Sequence, residues 1–437
     1  MRTGRGMFID DMLQISECLQ YEGCDIFKAE TNRYPLMKAV ILAAGEGVRC
    51  RPLTLTRSKV LLPVANKPTV EYVVQALHDS GIKDIIMVVG YAKERIMNHF
   101  GNGKDFDVNI EYAEQKQQLG TAYAIKQVKG LVEGEFLVLN GDNLVSEETI
   151  ADLTEKHTRG VSILTAARAD AAGYALVEER DGNVRKITEG LALKGVCNVN
   201  TGIYIFNQDI FDAIEETLKS DLGEFGITDS IQRMVAAGYR VRAYRTDHTW
   251  MDVIHSWNLL GVNARVLEDI HESVHETAEV AGLVKGRVIV GSDSIIGAGS
   301  YIKGPVIIGR DCEIGPNVVI APSTSIGDNV TIEPFTYIRN CVILDNTYIG
   351  SGSTIKNSII GENNLIESHF ITESAKNLMI ELEGMLRYAG ELGTVLGDGN
   401  RVGCNVSTVA GTLVGPECRI ETGAVIRKQI PPHALVM

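Results

Sequence analysis

Short apolar runs alternate with helix-like segments between about residues 38 and 265. Residues 38–43, 84–90, 135–141 and 161–165 are almost continuously apolar. Strands of this composition are usually buried on both faces, so the pattern predicts a mostly parallel sheet with helices on either side. The first part of the chain is therefore expected to have α/β architecture.

One of the intervening helices is marked by its own sequence. Pro68 can occupy its first turn, and Gly81 can end it. Between them, one helical face carries Val70, Val73, Val74 and Leu77. Such a stripe is typical of a helix that packs on a sheet.

The second part of the chain repeats an apolar residue at every sixth position. The residues in register are Val284, Val290, Ile296, Ile302, Ile308, Ile314, Ile320, Ile326, Ile332 and Ile338. The period slips near Cys341, stops at an insert near residues 367–393, and resumes from Leu396 to Ile426. A six-residue period predicts a parallel β-helix in which each repeat turns one apolar residue inward. The insert is expected to be helical around residues 378–392.

These patterns divide the chain into four segments. At 437 residues, the chain exceeds the ~250–300 residues that one hydrophobic core supports. We predict an α/β domain over 38–265, a helical linker over 266–282 and a β-helix over 283–437. Residues 1–37 match neither pattern, and we interpret them as an extension of little function from an upstream start site.

Charge and composition exclude several functions. The chain carries 42 Lys and Arg against 56 Asp and Glu, a net charge of −14, which argues against nucleic acid as a partner. The eight cysteines show no metal-binding spacing, and no apolar run approaches the ~20 residues of a membrane span. We therefore expect a cytoplasmic protein with reduced thiols.

A glycine-rich turn follows the first predicted strand, where open α/β sheets bind ligands. Gly45 and Gly47 would let backbone amides approach an anion, and Arg49 adds a forked cation suited to phosphate. Lys59 is a second candidate cation. A tight structural turn is the alternative, because neither the dinucleotide fingerprint nor the Walker motif is present.

Two carboxylates are candidates for binding magnesium. Asp142 directly follows the strand at 135–141, and Asp252 follows an aromatic residue, Trp250. Carboxylate oxygens suit Mg²⁺ that bridges phosphates. For Asp252 alone, a helix cap is the alternative.

Taken together, these motifs resemble the sugar-1-phosphate nucleotidylyltransferase family over roughly residues 38–265. The signature Leu-Ala-Ala-Gly-x-Gly-x-Arg stands at 42–49, Pro-Leu-Thr at 52–54, and Leu-Gly-Thr-Ala at 119–122. The resemblance implies a Rossmann-like domain with Arg49 and Lys59 as catalytic residues. It further implies nucleotide binding by Leu42, Ala44, Gly45, Gly47, Gln115, Gly120 and Thr121, sugar binding by Gly173, Glu189, Asn200 and Thr201, and Mg²⁺ binding by Asp142 and Asp252.

The reaction implied by the resemblance is transfer of UMP or dTMP from UTP or dTTP to glucose 1-phosphate or N-acetylglucosamine 1-phosphate. The sugar phosphate would attack the α-phosphorus in line and release pyrophosphate. The sequence departs from the family in having Ser58 where Pro is frequent, and Gly190-Leu191 after Glu189 where Lys-Pro is usual. Lys194 is a candidate replacement for that lysine.

The repeats resemble the left-handed β-helix of acyltransferases and of bifunctional sugar-1-phosphate nucleotidylyltransferase/acetyltransferases. His369 lacks every neighbour of the catalytic histidine in those enzymes, so we interpret it as an exposed loop residue. Two alternatives stay open: an additional acetyl-CoA-dependent acetyltransferase activity, or a non-catalytic nucleotide-sugar-binding scaffold. The β-helix is expected to hold subunits together as a homo-oligomer, a trimer or a multiple of one.

Overall fold

The computed structural model describes residues 37–437 except 170, 172, 190–194, 221, 222 and 383. The extension at 1–36 and Lys194 lie outside these residues. The helices of the α/β part are α1 (Thr69–Asp79), α2 (Lys93–Phe100), α3 (Thr121–Lys126), α4 (Glu147–Thr154), α5 (Asp209–Glu216), α6 (Ile227–Ala236) and α7 (Asn258–Leu267). Its strands are β1 (Ala39–Ala43), β2 (Pro63–Val64), β3 (Lys67–Pro68), β4 (Asp84–Val89), β5 (Asn109–Glu114), β6 (Phe136–Asn140), β7 (Asn143–Val145), β8 (Val161–Arg168), β9 (Leu176–Arg180), β10 (Asn183–Thr188), β11 (Cys197–Phe206), β12 (Val241–Thr246) and β13 (Trp250–Asp252).

The main sheet places the two motif-bearing strands side by side. Its order in the described residues is β5-β4-β1-β6-β11-β8-β12-β10-β9, with β5, β4, β1 and β6 parallel. The later strands pair mainly antiparallel, which makes the sheet mixed. Because β1 and β6 run parallel with Leu42 opposite Asn140, the glycine-rich turn and Asp142 leave the sheet at the same edge.

The predicted helix after Pro68 is confirmed as α1. Its apolar stripe is shielded from solvent, since Val70, Val73 and Leu77 are all 0% exposed. Gly81, at φ +78°, follows the helix and ends it. Burial of this face against the sheet, rather than intrinsic propensity, supplies most of the stability of such a helix.

The repeats form three stacked parallel sheets, the architecture of a left-handed β-helix. The first sheet contains Ser273–Val274, Val288–Val290, Val306–Ile308, Thr324–Ile326, Val342–Ile343, Ile359–Ile360, Thr394–Leu396 and Thr412–Val414. The second contains Glu279–Val280, Ile295–Ile296, Glu313–Ile314, Thr331–Ile332, Tyr348–Ile349, Leu365–Ile366, Arg401–Val402, Arg419–Ile420 and Leu435–Val436. The third contains Leu283–Lys285, Tyr301–Lys303, Val319–Ala321, Tyr337–Arg339, Thr354–Lys356, Ile371–Thr372, Ser407–Thr408 and Val425–Ile426.

The stacking register explains the slip in the repeat. A regular coil takes eighteen residues, three repeats of six, as when Ile302 pairs with Ile320. The two coils after Ile326 are each one residue shorter, because Ile326 pairs with Ile343 and Ile343 pairs with Ile360. The inward residues stay aligned in one buried stack, so a shortened turn near Cys341 costs the core no contact.

The segment at 266–282, predicted to be a helical linker, is the first coil of the β-helix. Helix α7 ends at Leu267, and the backbone amide of His275 then donates to Val290 O at 3.0 Å. The amide of Ala281 likewise donates to Ile296 O at 2.8 Å. The helical prediction was wrong because the strands of this first coil, Ser273–Val274 and Glu279–Val280, are short and exposed. The segment is therefore polar and lacks the apolar pattern of the later repeats.

The insert predicted to be helical is a β-hairpin, which we call the hairpin, formed by the antiparallel strands Ala375–Leu382 and Met385–Leu392. Its first strand alternates in exposure: Ile380 and Leu382 are buried, whereas Met379 and Glu381 are exposed. That period of two is the signature of a strand with one covered face. The helical prediction was wrong because so short an apolar segment satisfies either period.

One apolar cluster joins the α/β part, the β-helix and the hairpin, and residues 37–437 form one compact unit. The α/β part contributes Cys50, Leu53, Leu62, Val64, Leu144, Val253, Trp257, Leu259, Leu260 and Val262. The β-helix and the hairpin contribute Val342, Leu344, Ile359, Ile380, Leu382, Leu392, Val395 and Leu413. The hairpin therefore packs in the same apolar cluster as residues of the α/β part.

Candidate active site

The glycine-rich turn is held in a conformation that needs glycine at one position. Gly47 has φ +65°, and a Cβ there would come within 2.6 Å of the Cβ of Lys59. The hydroxyl of Thr54 donates to Gly47 O at 2.8 Å. At Gly45 a Cβ would meet nothing within 4 Å. The absence of a side chain at Gly47 thus lets the turn pack closely against Lys59, whereas Gly45 faces open space.

A first cavity of about 680 Å³ opens over this turn. It is lined by all the residues predicted to bind nucleotide and by both predicted catalytic cations: Leu42, Ala44, Gly45, Gly47, Arg49, Lys59, Gln115, Gly120 and Thr121. Asp142 and Glu189 also line it. Its volume is in the range of small-molecule sites.

The segment around Gln115 is fixed by backbone and side-chain bonds. Gln115 is 3% exposed, and its Nε2 donates to Gly120 O at 3.1 Å. Phe225 N donates to Leu119 O at 2.7 Å, and Ala122 N donates to Phe225 O. The side-chain amide of Gln115 is therefore held in one orientation at the wall of the cavity.

Asp142 forms a direct ion pair with Lys59, between Oδ2 and Nζ. Burial alone would lower the pKa of Lys59, but the charge of Asp142 and its hydrogen bond raise that pKa above the ordinary value. Lys59 is therefore cationic at neutral pH. The pair holds the cation over the cavity.

Two short strands that are far apart in the chain, β7 and β13, pair with each other and bring Asp252 beside Asp142. In the antiparallel pair β7–β13, Asp252 lies opposite Asn143, the neighbour of Asp142. Asp252 thus lies in a strand and does not cap a helix. Burial raises the pKa of Asp252, and the charge of Asp142 raises it further, although the hydroxyl of Tyr174 donates to Asp252 Oδ1 and opposes the shift.

A second cavity of about 550 Å³ adjoins the first. All four predicted sugar-binding residues line it: Gly173, Glu189, Asn200 and Thr201. The hydroxyl of Thr228 donates to Glu189 Oε1 at 2.7 Å and orients that carboxylate. Thr201 is 2% exposed and its hydroxyl donates to Leu164 O at 2.7 Å, so its side chain supports the wall from behind.

The two cavities share a wall of six residues: Arg49, Thr121, Asn140, Asp142, Glu189 and Ile254. Both candidate metal ligands are therefore at or beside the junction, since Asp252 lines the second cavity. Ligands bound in the two cavities would therefore lie next to each other at Asp142.

Several residues of the second cavity were not predicted from the sequence. Asn140, Tyr174, Trp250, His255 and Arg387 line it. Asn140 carried a usable signal, because it ends a buried strand two residues before Asp142. Arg387 carried none, because it lies on the hairpin of the β-helix.

The carboxylate pair fits a divalent metal ion that phosphates complete. Among the described residues, no cluster of three or more His, Cys, Asp or Glu side chains could hold a metal by itself. Asp142 and Asp252 supply hard oxygen donors, and Mg²⁺ commonly binds one or two carboxylates together with substrate phosphates. In the described part of the chain, no helix is long and apolar enough to cross a membrane.

One edge of the mixed α/β sheet carries the glycine-rich turn, the paired carboxylates and the joined cavities, an arrangement that fits a nucleotide-binding transferase. The family model described as Nucleotidyl transferase matches residues 38–268. The chain belongs to this nucleotidyl transferase family, and it is a nucleotidyltransferase. A second model, the GMPPB C-terminal domain, matches residues 302–436.

Curated relatives align with nearly the whole chain. The bifunctional protein GlmU of Methanocaldococcus jannaschii is 30% identical over 92% of this chain and 97% of its own length. The bifunctional sugar-1-phosphate nucleotidylyltransferase/acetyltransferase of Sulfurisphaera tokodaii is 32% identical over 90% of this chain and 98% of its own. The low-salt glycan biosynthesis nucleotidyltransferase Agl11 of Haloferax volcanii is 33% identical over 75% of this chain and 92% of its own.

Proposed function

We propose that the protein is a cytoplasmic enzyme that transfers UMP or dTMP from UTP or dTTP to a hexose 1-phosphate, glucose 1-phosphate or N-acetylglucosamine 1-phosphate, with release of pyrophosphate. The observation that carries the proposal is the shared wall of the two cavities. A triphosphate in the first cavity and a sugar phosphate in the second would meet at Asp142. The similarity to the sugar-1-phosphate nucleotidylyltransferase/acetyltransferase of Sulfurisphaera tokodaii supports the same class of substrate.

The residues of the first cavity suit a pyrimidine nucleoside triphosphate. Gln115 presents an oriented amide, which can pair with the edge of a pyrimidine base. The amides around Gly45, with Arg49 and Lys59, form a cationic cradle for the phosphates. The residues of the second cavity suit a sugar, because the oriented Glu189 carboxylate accepts hydrogen bonds from hydroxyls.

Catalysis would come from positioning and from charge neutralisation. An oxygen of the sugar phosphate attacks the α-phosphorus in line, the bond to the bridging oxygen breaks, and pyrophosphate leaves with the electron pair. Arg49 and Lys59 hold the triphosphate against the developing charge. A divalent ion, Mg²⁺ in our proposal, would be held by Asp142 and Asp252 and would neutralise phosphate charge.

The proposal is tested by pyrophosphate release from the purified full-length protein with Mg²⁺. Nucleoside triphosphates are crossed with hexose 1-phosphates, and each pair is run with and without the sugar. Sugar-dependent release with UTP or dTTP is expected and would name the substrates. Absence of release with every pair would refute the proposal and favour the binding scaffold.

Acetyl transfer is examined in the same preparation, because two of the relatives carry names that include bifunctional activity. Acetyl-CoA consumption is measured with amino-sugar phosphates. We expect none, because His369 is exposed on the β-helix surface with no neighbour of the catalytic pattern. Consumption above the background of a His369→Ala variant would establish the second activity.

We also propose a homo-oligomer, a trimer or a multiple of one, formed through the β-helix. The third sheet turns apolar side chains outward, and Leu283, Ile371 and Val425 are each about half exposed. Exposed apolar residues on one face favour burial against another copy. Light scattering on the full chain measures the subunit number, and a monomer at micromolar concentration would contradict this part.

A further inference from the structure

The hairpin of the β-helix extends to the cavity that we assign to the sugar. Arg387, in its second strand, lines the second cavity together with Asp142, Glu189 and Asp252. The other lining residues come from the α/β part of the chain. The β-helix therefore contributes a charged side chain to a site that the α/β part otherwise builds.

Packing fixes the hairpin in this place. Ile380, Leu382 and Leu392 are buried in the apolar cluster that also contains Cys50 and Trp257 of the α/β part. The backbone that carries Arg387 is therefore held by the same cluster that underlies the glycine-rich turn.

The charges of the second cavity show where an anionic ligand would find a cation. Three carboxylates line it, against two arginines among its described lining residues, Arg49 and Arg387. Arg49 also lines the first cavity, where the triphosphate would lie. Among the described lining residues, Arg387 is thus the one arginine that lines the second cavity and does not also line the first.

The contacts of Arg387 leave its guanidinium available. Within the described residues it is paired with no carboxylate, and its Nη2 donates to the sulfur of Met385 at 3.2 Å. Its positive charge, with that of Arg49, acts on His255 in the same cavity. Arg168 instead lies over the ring of Trp250, 5.0 Å from its centroid, and lines a neighbouring cavity.

We propose that Arg387 binds the phosphate of the sugar 1-phosphate, so that the β-helix completes the active site of the chain to which it belongs. This inference rests on the proposed function. A planar guanidinium matches two phosphate oxygens at once, which gives orientation as well as attraction. The hairpin thereby acts as a specificity element that distinguishes a sugar 1-phosphate from a free sugar.

The test compares the full-length protein with Arg387→Ala, Arg387→Gln and Arg387→Lys. The matched control is Lys376→Ala, which removes a cation of the same hairpin that is 76% exposed and lies outside both cavities. Initial rates of pyrophosphate release are measured with each substrate varied at saturation of the other. Thermal unfolding shows whether each variant is folded.

We expect KM for the sugar 1-phosphate to rise about 10- to 100-fold in Arg387→Ala and Arg387→Gln, as for loss of a charged hydrogen bond. KM for the nucleoside triphosphate stays within about twofold, Arg387→Lys recovers part of the loss, and Lys376→Ala behaves as the unsubstituted protein. Because Gln keeps most of the length of Arg, Arg387→Gln decides the question where the alanine variant unfolds.

An unchanged KM for the sugar 1-phosphate in a folded Arg387→Gln would overturn the inference. So would an equal rise of both KM values, since that would indicate a general disturbance of the cleft. Either result leaves the proposed function standing, because the unsubstituted protein remains active. Failure of the unsubstituted protein with every substrate pair would instead refute the proposed function.

Discussion

The guanidinium of Arg57 in the α/β part donates from Nη1 to Glu362 Oε1 in the β-helix at 2.6 Å, and its Nη2 donates to Asp398. Arg57 is 2% exposed. It stands two residues before Lys59, on the segment that follows the glycine-rich turn. The β-helix thus holds the segment that carries a cation of the candidate active site.

Replacing Arg57 by Ala is expected to destabilise the protein by about 3–5 kcal/mol, because it leaves two carboxylates without their buried partner. Turnover should fall as well, since Lys59 loses its support. Arg95→Ala is the matched control: Arg95 is half exposed and contacts the same Glu362 at 3.6 Å, so it should cost only about 0–1 kcal/mol. Denaturant unfolding measures both; equal costs would contradict the anchoring role.

Replacing Asp142 by Asn should lower turnover about 100-fold or more, because a neutral amide neither holds a divalent ion nor pairs with Lys59. The fold should persist, since the carboxylate borders a cavity. Chelation of metal should abolish pyrophosphate release from the unsubstituted protein, and added Mg²⁺ should restore it. Asp107→Asn, at a 76% exposed carboxylate outside the site, serves as the control; near-normal turnover of Asp142→Asn would exclude the metal role.

The two glycines of the turn should respond differently to alanine. Gly47→Ala forces a Cβ onto Lys59 in a left-handed conformation, and we expect a loss of stability of about 1–3 kcal/mol. Gly45→Ala meets no protein atom within 4 Å, so its stability should be unchanged while KM for the nucleoside triphosphate rises. Unfolding and kinetic measurements on both variants separate the effects; a normal KM in Gly45→Ala would argue against a phosphate cradle.

His255 should make the protein less stable in mild acid. Burial, followed by the charges of Arg49 and Arg387, lowers the pKa of His255 to about 4. Between pH 6.5 and 4 the unfolded chain therefore binds a proton that the native state does not bind. Stability falls as pH decreases, by on the order of 1 kcal/mol after allowance for solvent screening of this partly exposed ring.

The ring of His255 stacks on Trp257 with 4.6 Å between the ring centroids. His255→Phe should keep this stacking and should remove the fall in stability between pH 6.5 and 4. His78 provides a contrast, because hydrogen bonds to Asp79 and Asp107 raise its pKa. The stability that it contributes is present below pH 6.5 and is lost as pH rises through its folded pKa, so His78→Asn should change the profile with the opposite sign. Profiles of the two variants that coincide would contradict the assignment.

Local signals in the sequence were sufficient for most of the fold. Continuous apolar strands predicted the sheet, and the six-residue period predicted the coil, because each repeat stacks on an equivalent residue at a fixed interval, as Ile302 does on Ile320. The hairpin was missed because Leu378, Ile380 and Leu382 fit a strand or a helix. The first coil was missed because its strands are short and exposed.

The sequence by itself determined the chemistry available to the protein: the glycine-rich turn, Arg49, Lys59 and the two candidate metal carboxylates lie in recognisable local contexts. Only the tertiary structure decided their partnerships. Asp252 reaches Asp142 through the pairing of β7 with β13, and Arg387 reaches the second cavity through a hairpin packed on the α/β part. Such contacts depend on the register of distant strands and on shared burial, which leave no periodic trace in the chain.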